Sequence, residues 1–459
     1  MKFKISLISI LLSITLISIK GLGQNDTLKV MTYNVLHYGD GCQGSNSYLH
    51  ARLKIIVGYT NPDVLGLVKV QSIKDSASDP HGYNPVHLED SMLTFGLNAA
   101  YPGKYACCPI GNTNQGFDDD MNLLFYNQNK LGYVSTTLLN NFEEVFSLYK
   151  LFYKDPNLSA THDSTFLYII LNHTISGTQP SGSISRDHQD SLNVNQLKSM
   201  FSHLPNLITM GDFNTHSSSE AGYYLMTSTT DTSFLFYDPP FKLDNKLSYP
   251  ISWETATAAA PYLNTATRST SLPNGCGSAN GAKDWYLHIL LSGWIANNYD
   301  YIKYVPNSYT TIGNDGKRTG ISIIDSTTNG KNLSAPPAVL EALYEFSDKY
   351  PISVKLAVTY NTSGKGPGDP TATVPLSNSQ DLIRIVNPIQ NNSIDLAFAS
   401  SLVGQTATMN LYDLTGKLVS TDNYPVNSSL INRPCQLTSG LYILTIQIGN
   451  TTYTSRLIK

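Results

Sequence analysis

A chain of 459 residues exceeds what one hydrophobic core usually supports, so two or more folded units are expected. Only 14% of the residues are charged and the formal net charge is −4, which leaves no global positive field to draw in nucleic acid. Ser, Thr, Asn and Tyr are abundant (29 Tyr) while Lys and Glu are scarce, a balance common in exported, β-rich proteins.

Residues 1–23 start with Lys2 and Lys4, continue through an apolar run from Ile5 to Ile19, and finish at Gly21-Leu22-Gly23 before Gln24. A positive start, a short apolar centre and small residues at the end describe a secretory signal peptide rather than a membrane span. No Cys sits at the expected cleavage point, so a lipoprotein anchor is not supported, and no later run reaches the roughly 18 apolar residues of a membrane helix. The mature protein is expected to be soluble. Five cysteines remain for an oxidising destination (Cys42, Cys107, Cys108, Cys276 and Cys435), and the odd count leaves at least one unpaired or bonding between chains. The adjacent Cys107 and Cys108 are poor partners for each other; a bond from Cys42 or Cys276 to one of them is one option, and the sequence does not choose among the pairings. The spacing fits no zinc pattern.

Leu28 to Leu36 alternates as a strand does, with Asn34 near its end. Leu49 to Tyr59 sets Leu49, Leu53, Ile56 and Val57 on one side of an amphipathic helix that Asn61-Pro62-Asp63 terminates. The strand Val64 to Val70 follows and carries Lys69, and Leu88 to Ala100 reads as a second helix. Asp118-Asp119-Asp120 precedes the strand Met121 to Tyr126; such a run can hold a hard cation but is more often solvated. Phe166 to Leu171 is an apolar strand ending at Asn172-His173, and Arg186 to Leu204 fits a helix. Residues 220–282 are rich in Ser, Thr, Pro and Gly and read as loops, with Trp253 and several Tyr available to stack on a ligand or between loops.

Between those segments the apolar run Leu207-Ile208-Thr209 stops at Met210-Gly211-Asp212-Phe213-Asn214. A strand ending in Gly-Asp-x-Asn sets a carboxylate and a carboxamide side by side. The Asp can take a proton from a water nucleophile and the Asn can donate to charge building on a phosphoryl oxygen, a pairing that suits phosphate chemistry. Turn formation after a strand is the plain alternative.

Seven stretches fall in a telling order: Val30-Met31-Thr32-Tyr33-Asn34-Val35, Asp63-Val64-Leu65-Gly66-Leu67, Met121-Asn122-Leu123-Leu124-Phe125-Tyr126-Asn127, Leu171-Asn172-His173, the Gly-Asp-Phe-Asn core, Gly313-Asn314-Asp315-Gly316 and Ser347-Asp348-Lys349-Tyr350-Pro351. Together they resemble the endonuclease/exonuclease/phosphatase superfamily, the deoxyribonuclease-I-like fold, over roughly residues 28–358. The resemblance implies an α+β, four-layer α/β/β/α sandwich that hydrolyses phosphodiesters with Mg2+ or Mn2+. It also implies that the partner is nucleic acid or a phosphorylated small molecule. It assigns Asn34, His173, Asp212, Asn214, His288, Asp348 and Lys349 to the reaction centre, with Asp212 and Asp348 as metal contacts.

Three positions depart from the family pattern. Where the family ends a strand in Gln-Glu-Val, with the Glu on the metal, this chain reads Val68-Lys69-Val70. A unit charge facing a divalent ion at about 4 Å in an effective dielectric of about 20 is repelled by roughly 8 kcal/mol. Either Lys69 swings away, or the metal is not bound in its usual place, or the ammonium stands in for the metal's charge. The family's Asp-Arg-Phe-Asp followed by an apolar strand becomes Asp284-Trp285-Tyr286-Leu287, and its Ser-Asp-His-x-Pro becomes Ser347-Asp348-Lys349-Tyr350-Pro351. Both members of one Asp-His pair are thereby replaced, by Leu287 and Lys349. An orienting carboxylate has no use without its imidazole, so the two losses make joint sense.

From about Asn361 to Gln380 the composition is that of a linker. Short alternating strands follow at Leu382 to Val386, Ile394 to Phe398, Thr406 to Tyr412, Lys417 to Ser420, Leu441 to Ile448 and Thr452 to Ile458, indicating a small all-β, immunoglobulin-like sandwich. Asn387-Pro388, Leu411-Tyr412-Asp413-Leu414-Thr415-Gly416-Lys417, Ser439-Gly440-Leu441-Tyr442 and the end Arg456-Leu457-Ile458-Lys459 make it look like a type A sorting domain of the type IX secretion system. The expected organisation is a signal peptide at 1–23, a phosphodiesterase-like domain at 24–358, a linker at 359–380 and the sorting domain at 381–459. Three functions remain open: an exported family member with an impaired centre, a working nuclease or phosphodiesterase that binds its metal through Asp212, Asp348 and Asn34, and a non-catalytic surface module holding a phosphorylated or polymeric ligand.

Overall fold

The computed structural model describes residues 25–71, 88–109, 120–177, 180–248, 252–253, 257–265, 276–278, 281–362, 383–385, 393–398, 402–413, 416–428, 430–438, 440–449 and 451–459. The expected signal peptide, Asp118, Asp119 and most of the expected linker lie outside the described residues. The chain divides into two compact units, 1–369 and 370–459.

Among the described residues, thirteen strands build the first unit: β1 (Asn25–Tyr38), β2 (Val64–Gln71), β3 (Tyr105–Cys107), β4 (Asp120–Asn127), β5 (Leu131–Asn140), β6 (Phe146–Tyr153), β7 (Phe166–His173), β8 (Leu207–Asp212), β9 (Phe236–Tyr237), β10 (Leu287–Ser292), β11 (Ile302–Tyr304), β12 (Thr310–Thr311) and β13 (Ile352–Thr359). One sheet runs β11-β13-β1-β2-β4-β3 with β12 beside β13, and the other β5-β6-β7-β8-β10-β9. Only β1 with β2 and β7 with β8 run parallel; the remaining neighbours are antiparallel. The two sheets pack face to face. At Gly66 in β2 an added Cβ would fall 2.4 Å from Leu171 Cδ2 and 2.8 Å from Met210 Cε, so the missing side chain admits the core of the facing sheet.

Helices cover both outer faces. Helix α1 (Asn46–Thr60) and helix α4 (Pro337–Phe346) lie on the first sheet, where Tyr33 and Tyr38 of β1 meet Phe346, and Tyr38 also meets His50. Helices α2 (Pro180–Met200) and α3 (Ala221–Thr227) form the other outer layer, tied by fully buried Arg186, which pairs with Glu220 at 2.9 Å. This is a four-layer α/β/β/α sandwich. The helix expected from Leu88 to Ala100 is a helical stretch with a π-turn over Met92–Leu97. Strands β5 and β6 were not anticipated.

The second unit holds a three-stranded sheet, β14 (Ile383–Ile385), β15 (Ser393–Phe398) and β18 (Leu430–Pro434), and a four-stranded sheet in the order β17 (Leu418–Pro425), β16 (Thr406–Asp413), β19 (Leu441–Ile448), β20 (Thr451–Ile458). Ile394, Leu396, Phe398, Ala407, Leu411, Leu444, Ile446 and Leu457 share one core, as the inward faces of an immunoglobulin-like sandwich require. Edge strand β18 was not anticipated, because Asn432-Arg433-Pro434 breaks the apolar alternation and the Pro is tolerated only at an edge.

Candidate functional site

The C-terminal ends of β7 and β8 meet the end of β1 from the facing sheet. Gly211 is held at φ +144°, and a Cβ there would lie 1.8 Å from the Asn172 carbonyl oxygen, so the close approach of β8 to β7 requires glycine. The next residue, Asp212, is buried. Asn34 Nδ2 donates to its Oδ2 at 2.7 Å, and the Asn214 backbone N–H donates to its Oδ1 at 3.1 Å. Asn34 Oδ1 in turn accepts from the Leu36 N–H at 2.9 Å, where Leu36 and His37 take left-handed φ values and β1 slips register against β2. Asn214, also left-handed at φ 47°, gives its side-chain amide to the Thr174 carbonyl at 2.7 Å.

His173 lies across the parallel β7–β8 pair from Asp212. Its Nδ1 stands 3.6 Å from Glu144 Oε2, an ion-pair distance rather than a hydrogen bond, and both residues are buried. Burial pulls the imidazole pKa down most strongly, but the Glu144 carboxylate, helped by Asp212 and opposed by Lys69, leaves it above the ordinary value. Glu144 was not singled out in the sequence; Asn140-Asn141-Phe142-Glu143-Glu144 reads only as a turn.

Ser347 Oγ donates to the Asn34 carbonyl at 2.7 Å and accepts the Lys349 N–H at 3.1 Å, pinning Ser-Asp-Lys against β1. Asp348 Oδ2 accepts the Ser278 N–H at 2.8 Å and faces Lys349 Nζ at 3.3 Å, while buried Oδ1 makes no hydrogen bond. Burial works to raise the Asp348 pKa, yet Lys349, the Ser278 N–H and Lys69 together hold it below the ordinary carboxylate range. Lys349 is buried too: burial favours its neutral form, but Asp348, Asp212 and Asp284 outweigh this and raise its pKa, so it is a fixed cation at neutral pH. Its Nζ lies 5.7 Å from the ring centre of Tyr286. Lys69, at φ 64° where β2 shifts register against β4, is half-buried, and its charge is felt by both Asp348 and His173. The structure thus brings Asn34, His173, Asp212, Asn214, Asp348, Lys349 and Lys69 together.

It does not bring His288. Leu287 pairs across β10 and β8 with Asp212 and is fully buried, whereas His288 pairs with Gly211 and turns to the opposite face. There His288 Nδ1 meets Asp238 Oδ2 at 2.9 Å and Nε2 meets the Trp285 carbonyl at 3.1 Å, inside a cluster of Phe213, Tyr223, Trp253 and Trp285. His288 is therefore a core residue, and its place in the reaction centre is corrected. Trp253 is likewise fully buried against Phe241 and Trp285, so it offers no stacking platform. Asn264, which the sequence did not flag, links two of the departures. Its side chain receives the N–H groups of Tyr286 and Leu287 at 3.0 and 3.2 Å and donates to the Leu287 carbonyl at 2.9 Å, while its own carbonyl accepts from Tyr350.

The pairing left open by the sequence is Cys42 with Cys276, with Cα atoms 6.0 Å apart, and Cys107, Cys108 and Cys435 are free. The two half-cystines are 234 residues apart, and the bond holds the loop after β1 against the segment whose Ser278 N–H reaches Asp348. Of the Asp run, Asp120 opens β4 and contacts His37 Nδ1 at 3.0 Å.

Among the described residues no three of His, Cys, Asp and Glu converge as a metal seat. Asp348 presents one unengaged oxygen, but its other oxygen faces an ammonium and a second ammonium acts on the same cluster. Two carboxylates balanced by two lysines are a poor donor set for Mg2+ or Mn2+.

Residues 387–459 match the family described as Secretion system C-terminal sorting domain. Solved structures similar to the chain include an endonuclease/exonuclease/phosphatase family protein from Bacteroides thetaiotaomicron (14% identity, 73% of this chain, 96% of that one, TM-score 0.41). Another, from Leptotrichia buccalis, gives 12%, 72%, 99% and 0.44, and D. rerio TDP2 complexed with a single-strand DNA product gives 13%, 73%, 100% and 0.41. No curated protein matches the chain. The sorting domain marks the protein for export, to the cell surface or beyond it. Among the described residues no helix is long and apolar enough to cross a membrane.

Proposed function

We propose that this is an exported protein with the scaffold of a phosphodiester hydrolase whose reaction centre turns over phosphodiesters weakly or not at all, leaving recognition of a phosphorylated ligand as its role outside the cell. The carrying observation is the pair of neighbours that Asp212 and Asp348 have been given. Asp212 lies beside buried Leu287, which cannot orient an imidazole, and Asp348 lies beside Lys349, which holds its proton. General acid–base groups commonly supply 10²- to 10⁴-fold each, so a centre without a titrating pair forfeits much of its rate. His173 remains, but it is buried against Glu144. Residues 1–23 act as a signal peptide cleaved near Gln24, and 359–380 link the two domains in this reading. The test is hydrolysis of an activated phosphodiester, DNA and RNA by the mature protein with Mg2+ or Mn2+. Turnover at the level of an intact secreted nuclease, abolished by Asp212→Ala, would overturn the proposal.

A further inference from the structure

We infer that the reaction centre carries its own resident cation: Lys349, seconded by Lys69, takes the electrostatic place that a divalent ion would hold between Asp348 and Asp212. The inference rests on reading this cluster as the reaction centre. Lys349 Nζ stands 3.3 Å from Asp348 Oδ2, and its charge is further stabilised by the more distant carboxylates of Asp212 and Asp284. Lys69 adds its charge from β2, where it acts on Asp348 and on His173. Two ammonium groups together carry the charge of one divalent ion, set against the carboxylates of Asp348, Asp212 and Asp284 that act on Lys349. His173 and Glu144 form a second, separate pair at 3.6 Å. A divalent ion entering this set would meet compensated carboxylates and two repelling cations.

The placement is built rather than incidental. Lys349 is buried, its backbone N–H is fixed by Ser347 Oγ, and Ser347 is fixed by the Asn34 carbonyl. Its neighbour Asp348 is fixed by Ser278, whose segment the Cys42–Cys276 bond secures. A stand-in role for Lys69 was one of three readings of the sequence; the contact at 3.3 Å belongs to Lys349. The centre is thereby charged from the moment of folding and independent of the ion supply outside the cell.

Thermal melting and Mn2+ equilibrium dialysis of the mature protein test this. The wild type is expected to melt at the same temperature with Mg2+, Mn2+ or a chelator, and to retain no stoichiometric Mn2+. Lys349→Met strips the cation from between the carboxylates and should gain a saturable Mn2+ stabilisation that Lys349→Arg does not show. Stoichiometric Mn2+ on the wild type, lost in Asp348→Asn, overturns the inference without needing a folded Lys349 variant. Absence of any ion response in a folded Lys349→Met overturns it as well. The outcomes separate from those of the proposed function: brisk hydrolysis in chelator sinks that reading and spares this one, whereas bound Mn2+ without turnover does the reverse.

Discussion

Leu287 is the cross-strand partner of Asp212, and both are buried. Asn34 and the Asn214 N–H already occupy the two oxygens of Asp212, so the leucine needs only to fill space. Leu287→Asp would set a second carboxylate directly opposite the first with no partner of its own. The expected cost is about 2–4 kcal/mol, seen as a lower melting temperature. An unchanged melting temperature would mean that water or Lys349 reaches this position.

Asp190, on α2, is buried with neither carboxylate oxygen hydrogen-bonded, and the Cα of Gly222 on α3 packs against it. Burial, reinforced by nearby Asp187, raises its pKa to about 8. The folded state therefore holds a proton that the unfolded state releases near pH 3.8, the ordinary value for this side chain. Stability falls as pH rises between those two values, by about 1.4 kcal/mol per pH unit at most, and is flat above about pH 8. Asp190→Asn should flatten that slope and melt higher than the wild type at pH 8. Parallel pH profiles of the two proteins in chemical denaturation would refute this.

The order of motifs and their chemistry made much of the centre legible before any coordinates. His173 and Asp212 meet because they end a parallel strand pair, which a strand ending in Gly-Asp announces, and Asn34 at the end of β1 and Asp348 just before β13 reach them from the facing sheet. What could not be read was long-range. Nothing local ties Glu144 to His173 or Asn264 to Leu287, and the Cys42–Cys276 bond joins loops 234 residues apart. His288 was misplaced by a single step of strand alternation, since residues adjacent in β10 face opposite sides. For Trp253 the sequence left stacking on a ligand and packing between loops both open, because an aromatic in a Ser/Thr-rich loop gives no local sign of the cluster that buries it.

Gly211→Ala tests how tightly that strand end is built. A Cβ 1.8 Å from the Asn172 carbonyl oxygen cannot be accommodated, and the atoms it would meet are Asn172 backbone rather than a flexible side chain that could yield. Loss of at least about 3 kcal/mol, or failure to fold, is expected. Near-native melting would show that β7 and β8 separate more easily than their register implies.

Removing the disulfide by paired Cys42→Ser and Cys276→Ser should cost about 2–5 kcal/mol, as is usual for a native bridge closing a long loop. It should also free Ser278 from Asp348, raising the Asp348 pKa by removing one of the influences that hold it down. A variant as stable as the wild type, or an Asp348 carboxyl signal titrating at the same pH by NMR, would count against this coupling.

The last prediction treats the three departures as a set. Lys69→Glu restores a carboxylate beside Asp348 and removes one cation, and it should raise divalent-ion affinity above that of the wild type. It should not restore much catalysis, because Leu287 and Lys349 still lack a proton-handling pair. Leu287→Asp with Lys349→His supplies that pair and removes the cation in contact with Asp348, but without Lys69→Glu the charge of the β2 ammonium still acts on Asp348. The triple variant should therefore gain metal-dependent phosphodiesterase activity beyond the product of its partial effects, since the residues act as a unit. Leu287→Asp alone should melt lower than Leu287→Asp with Lys349→His, in which the new carboxylate has an imidazole to orient. The full cycle of variants, scored for Mn2+ affinity and hydrolysis of an activated phosphodiester, decides the matter. If Lys69→Glu leaves Mn2+ affinity unchanged, Lys69 does not bear on the centre as its charge on Asp348 and His173 indicates, and if the triple variant shows only multiplied effects, the three positions are independent.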